Sequence, residues 1–431
     1  MRIVPPRLVM AGIFILGVSS SPVHAQPAPN AVTDWAAIIQ QGITGPAAPR
    51  SAGTSEILHT MAMLAVYDAV VAIEGGYQPY AAAIQAPAGA DIRAAVATAA
   101  YLTTRARAAG ALVQALDDAY LAYLAGIADG QAKIDGVAVG QQASEAILAV
   151  RAGDGYDTVV PYWCSSTPLP PGEFEPDTGC PDSPGPPQPV DVKLGQIAPF
   201  TFADPARFRT AGPNGTTSAE YAADFVETAR VGRIDSAFRS AEQTDIAYFW
   251  SENPYVHWNR NLIGLALARG LDIPDAARFF AMVHTSVSDS IIAGFEAKYH
   301  YRFWRPRTAI ALADLDGNPG TVADPAWTPL LKVNHPEYPS GHGFWSGALV
   351  DAVEAFFGTK HITWTIVTSK AAVPAVVKTE RTYDHLNKLV KQIGDSRVWA
   401  GLHWRHSVRQ GDQIGRGIAR HVAGNFFLPL R

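Results

Sequence analysis

The chain has 431 residues, of which 48% are hydrophobic and 17% are charged, a balance typical of a globular protein with a sizeable core. Its net charge of -5 argues against a general nucleic-acid binder, because such proteins present a basic surface to phosphates. The length suits two or three domain-sized units, or one large helical domain.

Residues 1–25 are predicted to be a signal peptide. Arg2 and Arg7 form a basic start, residues 8–18 form an apolar run, and a small-residue cleavage pattern ends at Ala25. The run is too short to span a bilayer comfortably, and no later stretch of about eighteen apolar residues follows it. We therefore expect an exported protein, periplasmic or secreted, with no membrane span. An uncleaved anchor is the alternative.

Residues 26–152 are predicted to form an amino-terminal helical bundle. Within residues 57–73, apolar side chains recur at spacings of three and four, namely Met61, Leu64, Tyr67 and Val71. Residues 91–127 contain no proline and predict one or two long helices, and residues 134–150 repeat the pattern. The apolar helices of this portion are compatible with a homodimer.

Residues 153–215 are predicted to be a long irregular region, because their many prolines preclude regular helix. The region contains both cysteines of the chain, Cys164 and Cys180. In an oxidising compartment we expect them to pair, which closes a loop of about fifteen residues and stabilises the fold by about 3 kcal/mol. A metal site is less favoured, since no Cys or His lies beside either of them at ligand spacing.

Helical signals return in the carboxyl-terminal portion, residues 216–431. Capping boxes are predicted at Thr217 with Glu220 and at Ser240 with Gln243. Further helices are predicted at residues 275–304, 342–356, 383–399 and 408–422, with a short β-branched run at residues 362–367. The predicted fold class is all-α, with helical bundles and long proline-rich loops.

Lys298 and Arg305 are the first pair of residues that indicate a binding site. On a continuous helix their spacing places both on one face, about 10 Å apart, where they can converge on one multiply charged anion. Aromatic neighbours such as Phe303 and Trp304 favour a buried position, and a buried guanidinium needs an anionic partner. The alternative is two solvated cations on an exposed face.

The second segment, residues 335–343, reads His-Pro-Glu-Tyr-Pro-Ser-Gly-His-Gly. Its prolines stiffen the chain, and Gly341 allows a close approach to whatever the Ser340 hydroxyl contacts. A helix that begins near His342 would direct its free amide groups, and the positive end of its dipole, at an anion. The alternative is an ordinary proline-rich turn into a helix.

The third segment contains Arg397 and His403, which would lie on different faces of a continuous helix. Gly401 can break that helix and let both side chains point inward. A single histidine near a helix end is usually structural. Here the same segment also offers an arginine that can bind an oxyanion.

In this order and at these spacings, the three segments resemble the signature of the vanadium-dependent haloperoxidases, in particular their bacterial bromoperoxidase-like branch. That family shares its site with type 2 phosphatidic acid phosphatases and bacterial acid phosphatases. The resemblance covers residues 298–407. It implies a catalytic carboxyl-terminal portion, a vanadate cofactor whose site phosphate can also occupy, and hydrogen peroxide and halide as substrates. An organic substrate is a further partner compatible with it.

The resemblance also assigns roles to the site residues. The cations that would neutralise the vanadate oxygens are Lys298, Arg305 and Arg397. The groups that would hydrogen-bond these oxygens are the Ser340 hydroxyl and the Gly341 amide. His403 would supply the nitrogen ligand to vanadium, and His342 would be the acid–base group for hydrogen peroxide.

Two positions bear on the halide. His335 stands where family chloroperoxidases have Phe and algal bromoperoxidases have His, and Phe295 stands where chloroperoxidases have Trp. Both favour bromide or iodide over chloride. The alternative for His335 is a turn residue bonded to backbone.

Two further positions concern the histidines. The family's third motif usually carries Asp four residues after the ligand histidine, where this chain has Ser407. An Asp would orient the imidazole and raise its basicity, so Ser407 leaves the vanadate affinity and the tautomer of His403 in question. Glu252 is predicted to support His342. Nearby polar residues read as structural are Asp289, His300, Arg405 and His406.

Two other functions remain open. A secreted acid phosphatase would use the same site, with a phosphohistidine formed on His403. A helical oxyanion-binding protein without catalysis is the third possibility, for which Ser407 is the argument. The aromatic first segment and the long amino-terminal helical portion favour the peroxidase.

Overall fold

The computed structural model describes residues 30–44, 50–162, 164, 169–176, 179 and 189–430. Residues 1–25 and Cys180 lie outside this part, so the signal peptide and the Cys164–Cys180 disulfide stay predictions. The described chain is built of helices, with two short strands, and the predicted all-α class is confirmed.

Five helices make up the described amino-terminal portion: α1 (Ala31–Ile43), α2 (Ala52–Glu74), α3 (Ile92–Arg105), α4 (Ala111–Ala125) and α5 (Gln131–Val150). The predicted helical stretch 91–127 is therefore two helices, separated at Gly110, whose φ of 60° is unsuited to a continuing helix. Helix α2 is long and apolar enough to cross a membrane, but 83% of its most apolar window is buried inside the protein. Such burial is typical of a core helix.

The carboxyl-terminal portion contains eight helices and one hairpin of two strands. They are α6 (Ala219–Val231), α7 (Ala241–Phe249), α8 (Pro254–Ala268), α9 (Ile273–Tyr301), α10 (Pro306–Ala311), α11 (Gly341–Phe357), β1 (Trp364–Val367), β2 (Glu380–Tyr383), α12 (Leu386–Trp399) and α13 (Arg405–Asn425). The strands pair antiparallel, with Trp364 opposite Tyr383. The β-branched run is thus a strand, and α12 begins later than predicted because Tyr383 belongs to its partner.

Helix α9 is the centre of the molecule. It packs against α2 from the amino-terminal portion and against α11 and α13 from the carboxyl-terminal portion. One continuous hydrophobic core therefore includes side chains as distant in sequence as Trp35 and Val422. The proposed division at residues 153–215 separates two sets of helices that share this core.

Helices α11 and α13 form the most extensive helix pair, and glycines allow their close approach. A Cβ atom on Gly411 would stand 2.5 Å from the carbonyl oxygen of Ser340, and one on Gly415 would stand 2.1 Å from that of Phe344. Both distances are shorter than any real contact, so only glycine fits. The pair holds the start of α11, where the second motif lies, against the start of α13.

Two further predictions about helix ends are wrong. Helix α9 ends at Tyr301 instead of Trp304, because Arg302 adopts a left-handed conformation with φ of 47°. Helix α6 is capped by Ser218, whose side chain accepts from the Tyr221 amide, so Thr217 and Glu220 do not form the predicted capping box. The other predicted box, Ser240 with Gln243, is present.

Candidate active site

The three motifs lie at helix ends that meet in one place. Their residues are Lys298 in the last turn of α9, Arg305 at the start of α10, Ser340 at the start of α11, Arg397 in the last turn of α12, and His403 in the α12–α13 loop. Arg305 Nη1 lies 3.3 Å from His403 Nε2. The structure thus brings the predicted residues together.

Lys298 and Arg305 converge by a different route from the predicted one. They do not share the face of one helix, because α9 ends at Tyr301 and the chain turns back at Arg302. Arg305 is extended, with φ of -80° and ψ of 154°, as expected for a residue before a proline. The turn points both side chains at residues 335–337.

Lys298 is fully buried, with 0% of its surface exposed. Its ammonium donates to the carbonyl oxygens of Pro336, at 2.8 Å, and Glu337, at 3.1 Å. Burial and the neighbouring guanidinium of Arg305 hold the pKa of Lys298 well below its usual value. The protonated lysine is therefore stabilised when an anion enters beside it.

Arg305 is anchored by the backbone on both sides of the site. Its Nε donates to the carbonyl oxygen of His335 at 2.7 Å, and its Nη1 donates to that of Leu402 at 2.8 Å. The same Nη1 faces His403 Nε2. Because these bonds fix the plane of the guanidinium, its remaining contacts are directed at the histidine and at a neighbouring anion.

Arg397 is the third buried cation. Its Nη1 donates to the carbonyl oxygen of Trp250 at 3.2 Å, whereas its Nε is buried with no partner among the described residues. Burial, and then the charge of Arg305, lower the pKa of Arg397 to about 9. Three buried positive charges with an unsatisfied donor fit a multiply charged oxyanion such as vanadate or phosphate.

The start of α11 forms another wall of the site. Ser340 Oγ accepts from the Gly343 amide at 3.4 Å, and the Ser340 amide donates to the carbonyl oxygen of Ser407 at 3.1 Å. A Cβ atom on Gly341 would stand 4.0 Å from Lys298 Cε. The first amides of α11 therefore lie beside the lysine, where a helix amino terminus favours an anion.

His403 is held in one tautomer by its two neighbours. Its Nδ1 lies 2.8 Å from Glu337 Oε1, and its Nε2 lies 3.3 Å from Arg305 Nη1. An arginine can only donate, so Nε2 is the acceptor and the proton is on Nδ1. Burial and the three cations hold the pKa of His403 well below its usual value. The Nε2 lone pair thus faces the cationic site.

Glu337 is a residue of the site that was not predicted from the sequence. Its carboxylate is fully buried and accepts from His403 Nδ1 and, at 3.0 Å, from the Trp404 amide. Burial raises the pKa of Glu337 to about 7, against the lowering effect of Arg305 and Lys298. A signal was present, because Glu337 is the only acidic residue within the 335–343 motif.

Ser407 makes its hydrogen bonds with backbone atoms of the second motif. Its hydroxyl lies 3.5 Å from the carbonyl oxygen of Glu337, and its own carbonyl accepts from the Ser340 amide. The carboxylate at His403 Nδ1 therefore comes from Glu337, in another segment, and the predicted effect of Ser407 on vanadate affinity stays a prediction.

The two residues predicted to influence the halide are neighbours. The rings of Phe295 and His335 have centroids 5.6 Å apart. His335 Nδ1 lies 2.8 Å from Arg305 Nη2, which can only donate, and 3.1 Å from the carbonyl oxygen of Pro336, which can only accept, so either ring tautomer finds a partner at Nδ1. The backbone contact agrees with the alternative of a turn residue bonded to backbone, and the influence of His335 on the halide stays a prediction.

His342 lies across the site from His335. Its Nε2 donates to the carbonyl oxygen of Trp250 at 3.0 Å, which leaves Nδ1 as the acceptor of the neutral ring. Burial, and then the charge of Arg397, hold the pKa of His342 well below its usual value. The neutral ring is thus a base at Nδ1.

Glu252 is committed to another partner. Its carboxylate pairs with Arg260, with Nη2 to Oε2 at 2.6 Å, and accepts from the Ser369 amide at 3.0 Å. Burial alone would raise the pKa of Glu252, but these two donors lower it. The side chain lines the same cavity as His342, and its predicted support of that histidine stays a prediction.

A cavity of about 430 Å³ leads to these groups. Its lining includes Gly341, His342, Arg397 and His403, and most of the lining surface is apolar. Apolar residues that line it are Val190, Phe295, Leu331, Val333, Trp345 and Leu402. A volume of this size accepts a small organic molecule.

Comparisons with known proteins find a similarity that includes the carboxyl-terminal helices. Residues 278–427 match the family described as the VCPO second helical-bundle domain. The chain is 24% identical over 280 residues to the vanadium chloroperoxidase of Curvularia inaequalis, across 48% of this chain and 45% of that protein. The chain therefore spans less than half the length of this relative. The resemblance to vanadium haloperoxidases inferred from the motifs is confirmed.

Solved structures support the fold over nearly the whole chain. A protein described as the first bacterial vanadium-dependent iodoperoxidase superposes with a TM-score of 0.73 and 21% identity, over 93% of this chain and 96% of that one. A holo-type bacterial vanadium-dependent chloroperoxidase superposes with a TM-score of 0.72 and 16% identity, over 93% and 98%. At these identities the likeness concerns the fold.

Proposed function

We propose that this chain, which carries the second helical-bundle domain of the vanadium chloroperoxidase family in residues 278–427, is a vanadate-dependent haloperoxidase. It would oxidise bromide or iodide with hydrogen peroxide to the hypohalous acid. The observation that carries the proposal is the buried set of three cations around the lone pair of His403 Nε2. Vanadate supplies Lewis-acid activation of hydrogen peroxide toward a halide nucleophile.

The cations bind and polarise the oxyanion. Lys298, Arg305 and Arg397 are each at most 4% exposed, so their charges act at low dielectric and are already in place when a ligand enters. Ser340 Oγ and the first amides of α11 are the neutral donors. His403 Nε2 is an uncharged nitrogen whose lone pair faces these groups, which suits a metal ligand.

His342 is the acid–base group of the proposed reaction. Because its Nε2 donates to the Trp250 carbonyl, its Nδ1 can take a proton from an incoming hydrogen peroxide molecule and return it later. The low pKa of this histidine rises when a negatively charged ligand binds beside it. We therefore expect His342→Ala to reduce turnover more than vanadate affinity.

The halide preference rests on His335 and Phe295. His335 contacts Arg305 Nη2 through Nδ1 and lines the cavity, so its ring can approach a halide beside the guanidinium. We expect His335→Phe to lower kcat/KM for bromide about tenfold while chloride changes less. Competition between the two halides for one phenolic dye measures the ratio.

An export signal, an organic substrate and a homodimer belong to the same proposal. The leader-like residues 1–25 support a periplasmic or secreted enzyme. The largely apolar lining of the cavity supports an organic acceptor of the oxidised halogen. The apolar amino-terminal helices support a homodimer, which sedimentation would test.

The direct test incubates purified protein with vanadate, hydrogen peroxide and each halide in turn, and follows bromination or iodination of a phenolic dye. We expect activity that requires vanadate, that phosphate suppresses, and that His403→Ala abolishes. Activity without vanadate, or equal activity in His403→Ala, would contradict the proposal.

An acid phosphatase is the second candidate, favoured by one observation. His403 Nε2 is neutral and unprotonated beside three cations, and this also suits attack on a phosphate monoester. Hydrolysis of a nitrophenyl phosphate that vanadate inhibits, without halide oxidation, would support it. Vanadate binding with neither activity would support a non-catalytic oxyanion-binding protein.

A further inference from the structure

Glu337 joins all three motifs of the site through one residue. Its side chain accepts from His403 Nδ1 and the Trp404 amide, and its carbonyl oxygen accepts from Lys298 Nζ. Its own amide donates to the carbonyl oxygen of Phe303 at 2.8 Å. The backbone of the residue is therefore fixed independently of the contact between its carboxylate and the histidine.

The carboxylate determines which nitrogen of His403 faces the site. Oε1 accepts from both the imidazole Nδ1 and the Trp404 amide, so the neighbouring ring must offer a hydrogen at Nδ1. Nε2 is then left with its lone pair toward Arg305.

We propose that Glu337 is the positioning residue of His403: it holds the Nδ1–H tautomer and presents Nε2 to the bound oxyanion. In this chain it does what a carboxylate at position 407 would do in the family motif. The inference rests on the proposed function only for the identity of the oxyanion, because the tautomer is a property of the protein alone.

The first test is the tautomer, measured without ligand. Two-bond nitrogen–proton correlation spectra distinguish Nδ1–H from Nε2–H, and His403→Gln identifies the signal among the 12 histidines. We expect the Nδ1–H tautomer of His403 in the wild type. In Glu337→Ala we expect a mixture of tautomers or a changed signal of the imidazole nitrogens. A wild-type Nε2–H signal, or an unchanged signal in Glu337→Ala, would overturn the proposal.

The second test is binding of orthovanadate, and separately of inorganic phosphate, by calorimetry. We expect Glu337→Gln to weaken both about 10- to 100-fold, the usual effect of removing a carboxylate behind a ligand histidine. Asp68→Asn is the matched control, because Asp68 is a buried carboxylate on α2 that accepts from the Tyr80 and Ala81 amides. It should leave both affinities unchanged. Wild-type affinity in Glu337→Gln would contradict the proposal.

The third test places a carboxylate at position 407. Its outcome does not depend only on a single substitution of Glu337, which removes a buried group. We expect the double variant Glu337→Ala/Ser407→Asp to bind vanadate at least about tenfold more tightly than Glu337→Ala. It should also regain the Nδ1–H signal of His403. No recovery in a folded double variant counts against the positioning role. If the wild type binds vanadate with the Nδ1–H tautomer but oxidises no halide, the proposed function fails and the role of Glu337 stands.

Discussion

Buried, unpaired charge is the dominant feature of the site at the scale of single residues. Arg397 donates to one carbonyl and leaves Nε without a partner among the described residues, although only 4% of the residue is exposed. Burying a cation in this way costs stability unless an anion compensates it. The ligand that the site binds should therefore also stabilise the fold.

Removal of the Arg397 charge should have opposite effects on the free and the bound protein. Arg397→Met keeps most of the volume, so we expect the free variant to be as stable as the wild type or up to about 2 kcal/mol more stable. Phosphate or vanadate should raise the Tm of the wild type but shift that of Arg397→Met much less. Thermal unfolding with and without ligand measures both effects.

Arg260→Met is the control for the loss of an arginine that is paired with a buried carboxylate. Arg260 pairs with Glu252, whose side chain is 1% exposed, so its removal leaves an uncompensated carboxylate. We expect this variant to be destabilised by about 3 kcal/mol while its ligand-induced shift is kept. If Arg397→Met were destabilised to a similar extent and kept its ligand-induced shift in Tm, Arg397 would be a structural residue.

The residues of the site differ in how far the sequence reveals them. Lys298, Arg305, Ser340, Arg397 and His403 stand in short ordered motifs, so the sequence alone is enough to group them in one site. Glu337 could not be assigned in this way, because its contact with His403 joins positions 66 apart and depends on how the proline-rich turn folds. No local pattern specifies which way its side chain points.

At the scale of elements, periodicity predicts the helices but not their ends. The apolar spacing of α2 and α9 is regular over many turns, and both were predicted. The end of α9 depends on one left-handed residue, Arg302, which has no sequence signature because such positions usually hold glycine. The start of α6 was misplaced because Thr217 and Ser218 are both good caps.

The α11–α13 contact predicts a strong dependence on one glycine. A Cβ atom on Gly415 would meet the Phe344 carbonyl at 2.1 Å, so Gly415→Ala must push the helices apart. We expect a loss of about 3 kcal/mol or more in the free energy of unfolding, with weaker oxyanion binding because the start of α11 moves. Denaturant unfolding and phosphate titration check the two effects.

Gly417→Ala on the same helix is the matched control. The added Cβ atom would meet Phe208 at 3.5 Å, an ordinary contact, so the substitution should stabilise α13 by up to about 1 kcal/mol. Similar stability of the two variants would contradict the close-packing argument.

A buried polar cluster between α2 and α9 predicts the pH dependence of stability. Glu56 Oε1 lies 2.6 Å from His284 Nδ1, and both side chains are at most 2% exposed. Burial raises the pKa of Glu56 to about 8 and lowers the pKa of His284 to about 3. At neutral pH the folded pair therefore has a protonated Glu56 and a neutral His284.

The sign of the effect follows from proton binding. Between about pH 6.5 and pH 8, Glu56 holds a proton in the folded state but not in the unfolded state, whereas His284 is neutral in the folded state and loses its remaining proton in the unfolded state. The contribution of Glu56 is thus lost as pH rises toward its folded pKa, by about 2 kcal/mol over this range. Glu56→Gln can still donate to His284, and its unfolding free energy should fall less over this range.

Denaturant unfolding of the wild type and Glu56→Gln at about pH 6.5, 7.2 and 8 measures this difference. Asp68→Asn serves as the control, because burial raises the pKa of Asp68 only to about 6, below the range studied. If the free energies of unfolding of the wild type and Glu56→Gln changed with pH in parallel, the proton responsible for the pH dependence would not be on Glu56.

At the scale of the whole molecule, the amino-terminal helices are part of the catalytic portion's core. Helix α2 packs along α9, and the Thr60 hydroxyl donates to the carbonyl oxygen of His284 at 3.0 Å and lies 2.7 Å from the Ser288 hydroxyl. The site residue Lys298 lies further along the same α9. Composition alone suggested a boundary at residues 153–215. A proline-rich stretch has the same composition whether it links two separate cores or runs across a single one.

This shared core predicts that the catalytic portion does not fold alone. A fragment of residues 216–431 would expose the face of α9 that α2 covers, including the polar groups of His284 and Ser288. We expect the fragment to lack cooperative unfolding and phosphate binding, whereas residues 26–431 unfold in one transition. Co-expression with residues 26–152 should recover part of the binding. A fragment that unfolds cooperatively and binds phosphate with the affinity of residues 26–431 would establish two independent domains instead.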